Sequence, residues 1–214
     1  MACHKVTRTP LLFQGRGFVL SDTLYNVRAE YEEYDGYAAY PIYYKGEMRD
    51  TIGIATMFRR GDIKNRRYFD EAVHGYTSDL KLFVDTSVKT MIESMTYKDS
   101  SRTTIDSVVN KNAFLLTIKN GGDSLFFIGD SYYLRSVCRE VKNNQGDWVR
   151  VEKRLEVPCM TRDILYLKPG EIIISKVYRY KGNVLVPCRV VLSNMGSKVY
   201  SNVFMDSVDS CLLE

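Results

Sequence analysis

Histidine is nearly absent from this chain: His4 and His74 are the only two in 214 residues. Enzymes draw on histidine first for proton transfer, so a Ser-His-Asp or Cys-His arrangement would have to centre on His74. Asp70 or Glu71 could serve as its carboxylate, with a thiol brought near by the fold. The chain has neither a G-x-x-x-x-G-K-[ST] loop nor a G-x-G-x-x-G turn, which removes the usual phosphate cradles. It has no G-x-S-x-G elbow either. Gly121-Gly122-Asp123-Ser124 and Gly129-Asp130-Ser131 are followed by Leu125 and Tyr132, where a G-D-S-G protease motif needs glycine. They read instead as turns. No histidine pair stands at i, i+4 and no EF-hand loop occurs, so neither a metal nor a cofactor is expected.

Other absences bound the class. The five cysteines are odd in number, widely spaced and without a C-x-x-C, which argues against a disulfide framework or a zinc knuckle. No apolar run approaches the eighteen or so residues that a membrane helix requires. Residues 1–20 hold no apolar core of leader length, since Leu11-Leu12-Phe13 is too short. The expectation is a cytoplasmic, reducing environment with no membrane span. With 5 Pro and 14 Gly, collagen-like and low-complexity chains are excluded.

The composition that remains is that of a folded protein, 45% hydrophobic and 26% charged, with a mild net charge of +4. A single domain over 1–214 is expected, and only residues 99–112 resemble a sub-boundary. The strongest periodicity is two. Tyr25, Val27, Ala29 and Tyr31 alternate with Asn26, Arg28 and Glu30, as on a half-buried strand. Asp35-Gly36 separates this run from residues 37–44, a hairpin signal, and Lys45-Gly46 reads as a second turn. Pro41 lacks an amide proton, so the strand holding it belongs at an edge or carries a bulge. Further strands are expected at 51–58, 113–119, 124–128, 132–141, 148–157, 164–167, 171–180, 184–192 and 198–205. Those at 113–119 and 124–128 should form a hairpin around Asn120-Gly121-Gly122-Asp123.

Helical spacing occurs in the middle. Val88, Met91, Ile92 and Met95 recur at three, four and seven, with Asp85 or Thr86 placed to cap a helix over 86–98. Ile105, Val108 and Val109 allow a second helix. The fold class predicted is therefore β-rich α+β, mostly antiparallel in a sandwich or barrel-like arrangement, with one or two short central helices.

Two groups of residues could carry binding. The densest basic cluster holds Arg59, Arg60, Lys64, Arg66 and Arg67, with Tyr68 available to stack on a base. Arg135 and Arg139 share strand parity, as do Arg150 and Arg154, and pairing of their strands would unite them in a nucleic-acid-binding patch. Sixteen tyrosines are a second resource. Tyr25, Tyr31, Tyr37, Tyr40, Tyr43 and Tyr44 could line an aromatic sheet face used for self-association or for another protein. The leading expectation is a non-enzymatic structural or interaction protein that presents β-surfaces. A subunit of a larger, virus- or phage-like assembly is its analogue by class alone. A nucleic-acid-binding module and an enzyme built on His74 are the alternatives.

Overall fold

The alternation in the sequence emerges as strands in a computed structural model that describes residues 11–13, 16–21, 40–53, 79–97, 105–130, 134, 137–152, 164–194 and 197–213. In chain order they are β1 (Leu11–Phe13), β2 (Arg16–Ser21), β3 (Ile42–Glu47), β4 (Thr51–Gly53), β5 (Leu80–Tyr97), β6 (Ile105–Asn120) and β7 (Phe126–Asp130). Then come β8 (Val137–Lys142), β9 (Trp148–Arg150), β10 (Ile164–Leu167), β11 (Glu171–Tyr178), β12 (Val184–Asn194), β13 (Ser197–Tyr200) and β14 (Phe204–Val208). A 3-10 turn at Ser210–Leu213 follows, and no helix among the described residues reaches seven residues.

Two sheets make the body of the fold. One has the order β3-β11-β6-β5, and the other runs β13-β12-β8-β9 with β14 also paired to β12. All of these pairings are antiparallel. Their facing sides interdigitate in one core, with Ile42, Leu82, Val84, Phe114, Leu116, Ile118, Ile173 and Val177 from the first sheet. Val137, Val141, Val186, Cys188, Val190, Leu192, Phe204 and Val208 come from the second. β11 lies between β3 and β6 and is buried on both faces, which is why Ile172-Ile173-Ile174 runs unbroken. Smaller sheets pair β1 with β2, β2 with β4 in parallel, and β7 with β10.

The expected helices are strands. Met91 is exposed while its neighbour Ile92 is buried, the alternation of a strand rather than one helical stripe. Pairing with β6 over nearly the whole of 80–97 overrides the helical spacing, and Thr86, Val88, Thr90, Ile92 and Thr96 add β-branched side chains that favour a sheet. Asp85 does cap, but it caps a bulge. Its Oδ1 accepts from the Ser87 amide at 2.8 Å and the Ser87 hydroxyl at 2.6 Å, where the register shifts between Asp85 and Thr90. Ile105, Val108 and Val109 open β6, so residues 105–112 lie within a continuous strand. Only β5 pairs with that stretch among the described residues, giving a two-stranded ribbon beyond the reach of β11.

Three turn assignments also change; Gly129 and Asp130, read as part of a turn, lie in β7 and pair with Leu165 and Ile164. Lys45 and Gly46 lie inside β3 and pair with Ile173 and Ile172. β6 and β7 do not pair with each other among the described residues. Instead the Asn120 side-chain amide donates to the carbonyls of Ser124 (2.8 Å) and Leu167 (2.9 Å), fastening the 120–124 turn to β10. The strand following Pro41 does lie at a sheet edge, with a register shift opposite Ile174 and Ser175. Gly182 is required on steric grounds, since a Cβ there would fall 1.8 Å from the Val208 carbonyl carbon.

Candidate interaction surface

The strand pair β8–β12 sets two arginines on opposite faces of one sheet. Val190 pairs with Arg139 and Arg189 pairs with Glu140, so Arg139 points toward the core and Arg189 points away from it.

Arg139 is completely buried. Its Nη1 donates to Asp206 Oδ2 at 2.7 Å, its Nη2 donates to the Tyr178 carbonyl, and its backbone amide donates to Glu152 Oε2 at 2.7 Å. Nε stands 3.6 Å from Glu152 Oε1, an ion pair without a hydrogen bond. The guanidinium also lies 4.3 Å from the centre of the Tyr180 ring. Tyr40 and Tyr180 donate their hydroxyls to the two Glu152 oxygens at 2.5 and 3.0 Å. Burial works against the charge on Arg139, but Glu152 foremost, with Asp206, outweighs it and holds the guanidinium protonated above its ordinary value. Burial, reinforced by Glu152, pushes the Tyr40 hydroxyl well up. Cys188, on the same inner face, is pushed up to about 11 by burial. This cluster is an internal polar staple joining β8, β11 and β14 to residues 40 and 152.

The outer face has a different character. Arg189 is held by Glu140 Oε2 through Nε (2.8 Å) and Nη2 (2.6 Å). Its guanidinium lies 4.2 Å from the centre of the Trp148 ring and 4.0 Å from that of Tyr200. Trp148 belongs to β9 and Tyr200 to β13, on opposite sides of β12, so the two rings close on the arginine from either flank. The neighbouring rows are set by register: Leu185 beside Ser207, Met205 beside Pro187, Trp148 beside Lys142, and Arg150 beside Glu140. Leu185 is 63% exposed, Val203 57% and Met205 48%. Lys142, Arg150 and Lys198 are exposed on this side, while Cys138 and Val191 at its far end are buried. Lys198 also stands 4.0 Å from Glu140 Oε1.

Only part of the predicted site lies within the described residues. Arg59, Arg60, Lys64, Arg66, Arg67, Tyr68, Arg135, Arg154, Tyr25, Tyr31, Tyr37, Asp70, Glu71 and His74 lie outside them. Arg139 and Arg150 do sit on paired strands, but Arg150 pairs with Glu140 and so faces away from Arg139. Arg139 is a buried core residue and Arg150 lies on the opposite face, so these two of the four arginines do not meet. Tyr40 and Tyr43 are also buried, and Tyr44 is half-buried with its hydroxyl donating to the Glu47 carbonyl at 2.6 Å. These three pack within the chain rather than forming an open aromatic face. Sequence reasoning missed Trp148, Arg189, Tyr200, Leu185, Val203 and Met205. The signal was present in the parity of Leu185, Pro187 and Arg189, and in the single tryptophan of the chain.

Among the described residues no cluster of three or more histidine, cysteine, aspartate or glutamate side chains could hold a metal ion. No helix among them is long and apolar enough to cross a membrane. No protein-family model, curated protein or solved structure matches this chain.

Proposed function

We propose that this is a non-enzymatic interaction protein that binds another macromolecule through the outer face of its five-stranded sheet. One observation carries the reading. Five large hydrophobic side chains are exposed among the described residues, and four of them, Leu185, Tyr200, Val203 and Met205, belong to this sheet or to the link between β13 and β14. Water contact with clustered apolar side chains is unfavourable, and a partner that covers them removes it. Tyr, Trp, Met and Arg are also the residue types enriched in interface centres. Arg189 is held between the paired rings and Glu140, and a side chain so engaged before docking loses less entropy on binding.

A photo-crosslinking amino acid at position 185 tests the reading in cells expressing the protein. Discrete adducts that fail to form from position 168 are expected, and Met205→Ser should abolish them. Absence of any adduct from position 185 would sink the proposal.

A second reading, binding of single-stranded nucleic acid, is favoured by Arg150 and Lys142 beside Trp148 on the same face. It predicts association with an oligonucleotide that falls steeply with salt and is lost in Arg150→Glu.

A further inference from the structure

We infer that the occupant of this face is an acidic polypeptide segment carrying an apolar anchor, rather than a second copy of the chain or a nucleic acid. The inference rests on the reading of the outer face as an interface and deepens it. Strand parity places Lys142, Arg150, Arg189 and Lys198 on the outer face, with Glu140 as the one acidic side chain on its described strands. Four cations against one carboxylate leave an excess of three positive charges. Glu140 is already engaged, with one oxygen held by Arg189 and the other 4.0 Å from Lys198. Among the described residues the exposed Lys142 and Arg150 have no carboxylate ion pair, and an incoming acidic chain supplies one.

A second copy does not. A two-fold contact sets the same patch against itself, so it would oppose two surfaces that each carry an excess of positive charge. A nucleic acid satisfies the cations but not the aliphatic strip. Leu185, Val203 and Met205 offer no flat ring for a base to stack upon, and nucleic-acid interfaces are more polar than this strip. The inner faces of both aromatic rings are occupied by Arg189, which further reduces the stacking surface. A peptide meets both demands: an aliphatic or aromatic side chain covers Leu185, Pro187 and Met205, and its flanking carboxylates meet Lys142 and Arg150.

The test uses the full chain and a phage-displayed library of random peptides as the probe. Selected peptides should be net negative and should carry at least one large apolar residue. A Lys142→Glu/Arg150→Glu variant should bind them at least about tenfold more weakly, as should Leu185→Ser/Met205→Ser. Raising salt should weaken the first contact more than the second. Selection of neutral or basic peptides, or no selection at all, would overturn the inference. So would an oligouridylate that displaces the peptides and binds more tightly, or a dimer in solution that dissociates in Leu185→Ser/Met205→Ser. If position 185 still gives discrete adducts in cells, a failed peptide selection removes the acidic partner but leaves the interface. If the adducts fail too, both readings fall.

Discussion

Arg139 and Arg189 sit on neighbouring strands of one sheet, and strand parity gives them opposite environments. Arg139 faces inward, loses all contact with water, and is matched by Glu152 and Asp206 with Tyr180 over its plane. Arg189 faces outward, keeps part of its exposure, and is matched by Glu140 with Trp148 and Tyr200 on its flanks. Both are cations held by carboxylates and rings, yet the burial around them differs. A guanidinium removed from water needs its charge partners for the fold to persist. One at the surface shares that load with solvent, so its pairing can serve to orient a surface.

The sharpest way to break this comparison is Arg139→Met. It leaves Glu152 and Asp206 in the core without their main counter-charge, and unfolding in urea should show a loss of about 3–5 kcal/mol. Replacing Glu152 and Asp206 by Gln and Asn in the same chain should restore part of that loss, because the uncompensated charges go with them. A loss below about 1 kcal/mol for Arg139→Met would mean that the staple contributes little.

Tyr40→Phe probes the same cluster with a smaller change. Removing the hydroxyl that donates to Glu152 should cost about 1–2 kcal/mol at neutral pH. It should also change the alkaline limb of the stability curve. The folded chain holds the Tyr40 proton above its ordinary value of 10.0, so this contribution is complete below pH 10. Above that, the unfolded chain releases the proton first, and stability falls as pH rises toward the folded value. The fall should be shallower in Tyr40→Phe, and equal slopes in the two chains would refute the assignment.

On the outer face, Arg189→Met should cost less than Arg139→Met, about 1–2 kcal/mol, since Arg189 is itself partly exposed and the buried Glu140 keeps Lys198 nearby. Its larger consequence should be weaker partner binding, as Trp148 and Tyr200 lose the group between them. The smallest expected stability effect is that of Leu185→Ser/Met205→Ser, within about 0.5 kcal/mol of the parent by thermal or urea unfolding. A destabilisation as large as that of Arg139→Met would show these side chains to be core rather than surface.

Much of the strand content was legible because period-two alternation follows from backbone geometry alone. The segment 164–167 matches β10, and 184–192 lies within β12. The errors came where one local signal suits two structures. Val88, Met91, Ile92 and Met95 fit a helix by spacing, and Asp85 fits a helix cap. The same residues form a bulged strand once β6 lies alongside, because inter-strand hydrogen bonds outweigh weak propensities. The Asn120-Gly121-Gly122-Asp123 turn was visible, but its destination was not. Whether it joins β6 to β7 or fastens to β10 depends on which strands are neighbours in space.

The candidate surface shows the same division. The sequence by itself determined that the chain is rich in strands, poor in histidine, mildly basic and aromatic, and that Leu185, Pro187 and Arg189 share a face. Those properties follow from composition and from the two-residue repeat of an extended backbone. Only the tertiary structure decided which face is inside. Sheet pairing placed Val190 beside Arg139 and Glu140 beside Arg189, and packing against β3, β5, β6 and β11 then buried one side, while the other keeps Leu185, Met205, Lys142 and Arg150 exposed. Parity is a local property, but burial depends on what lies across the core. That is why Arg139, which shares its residue type and its sheet with Arg189, became a staple rather than part of a binding surface.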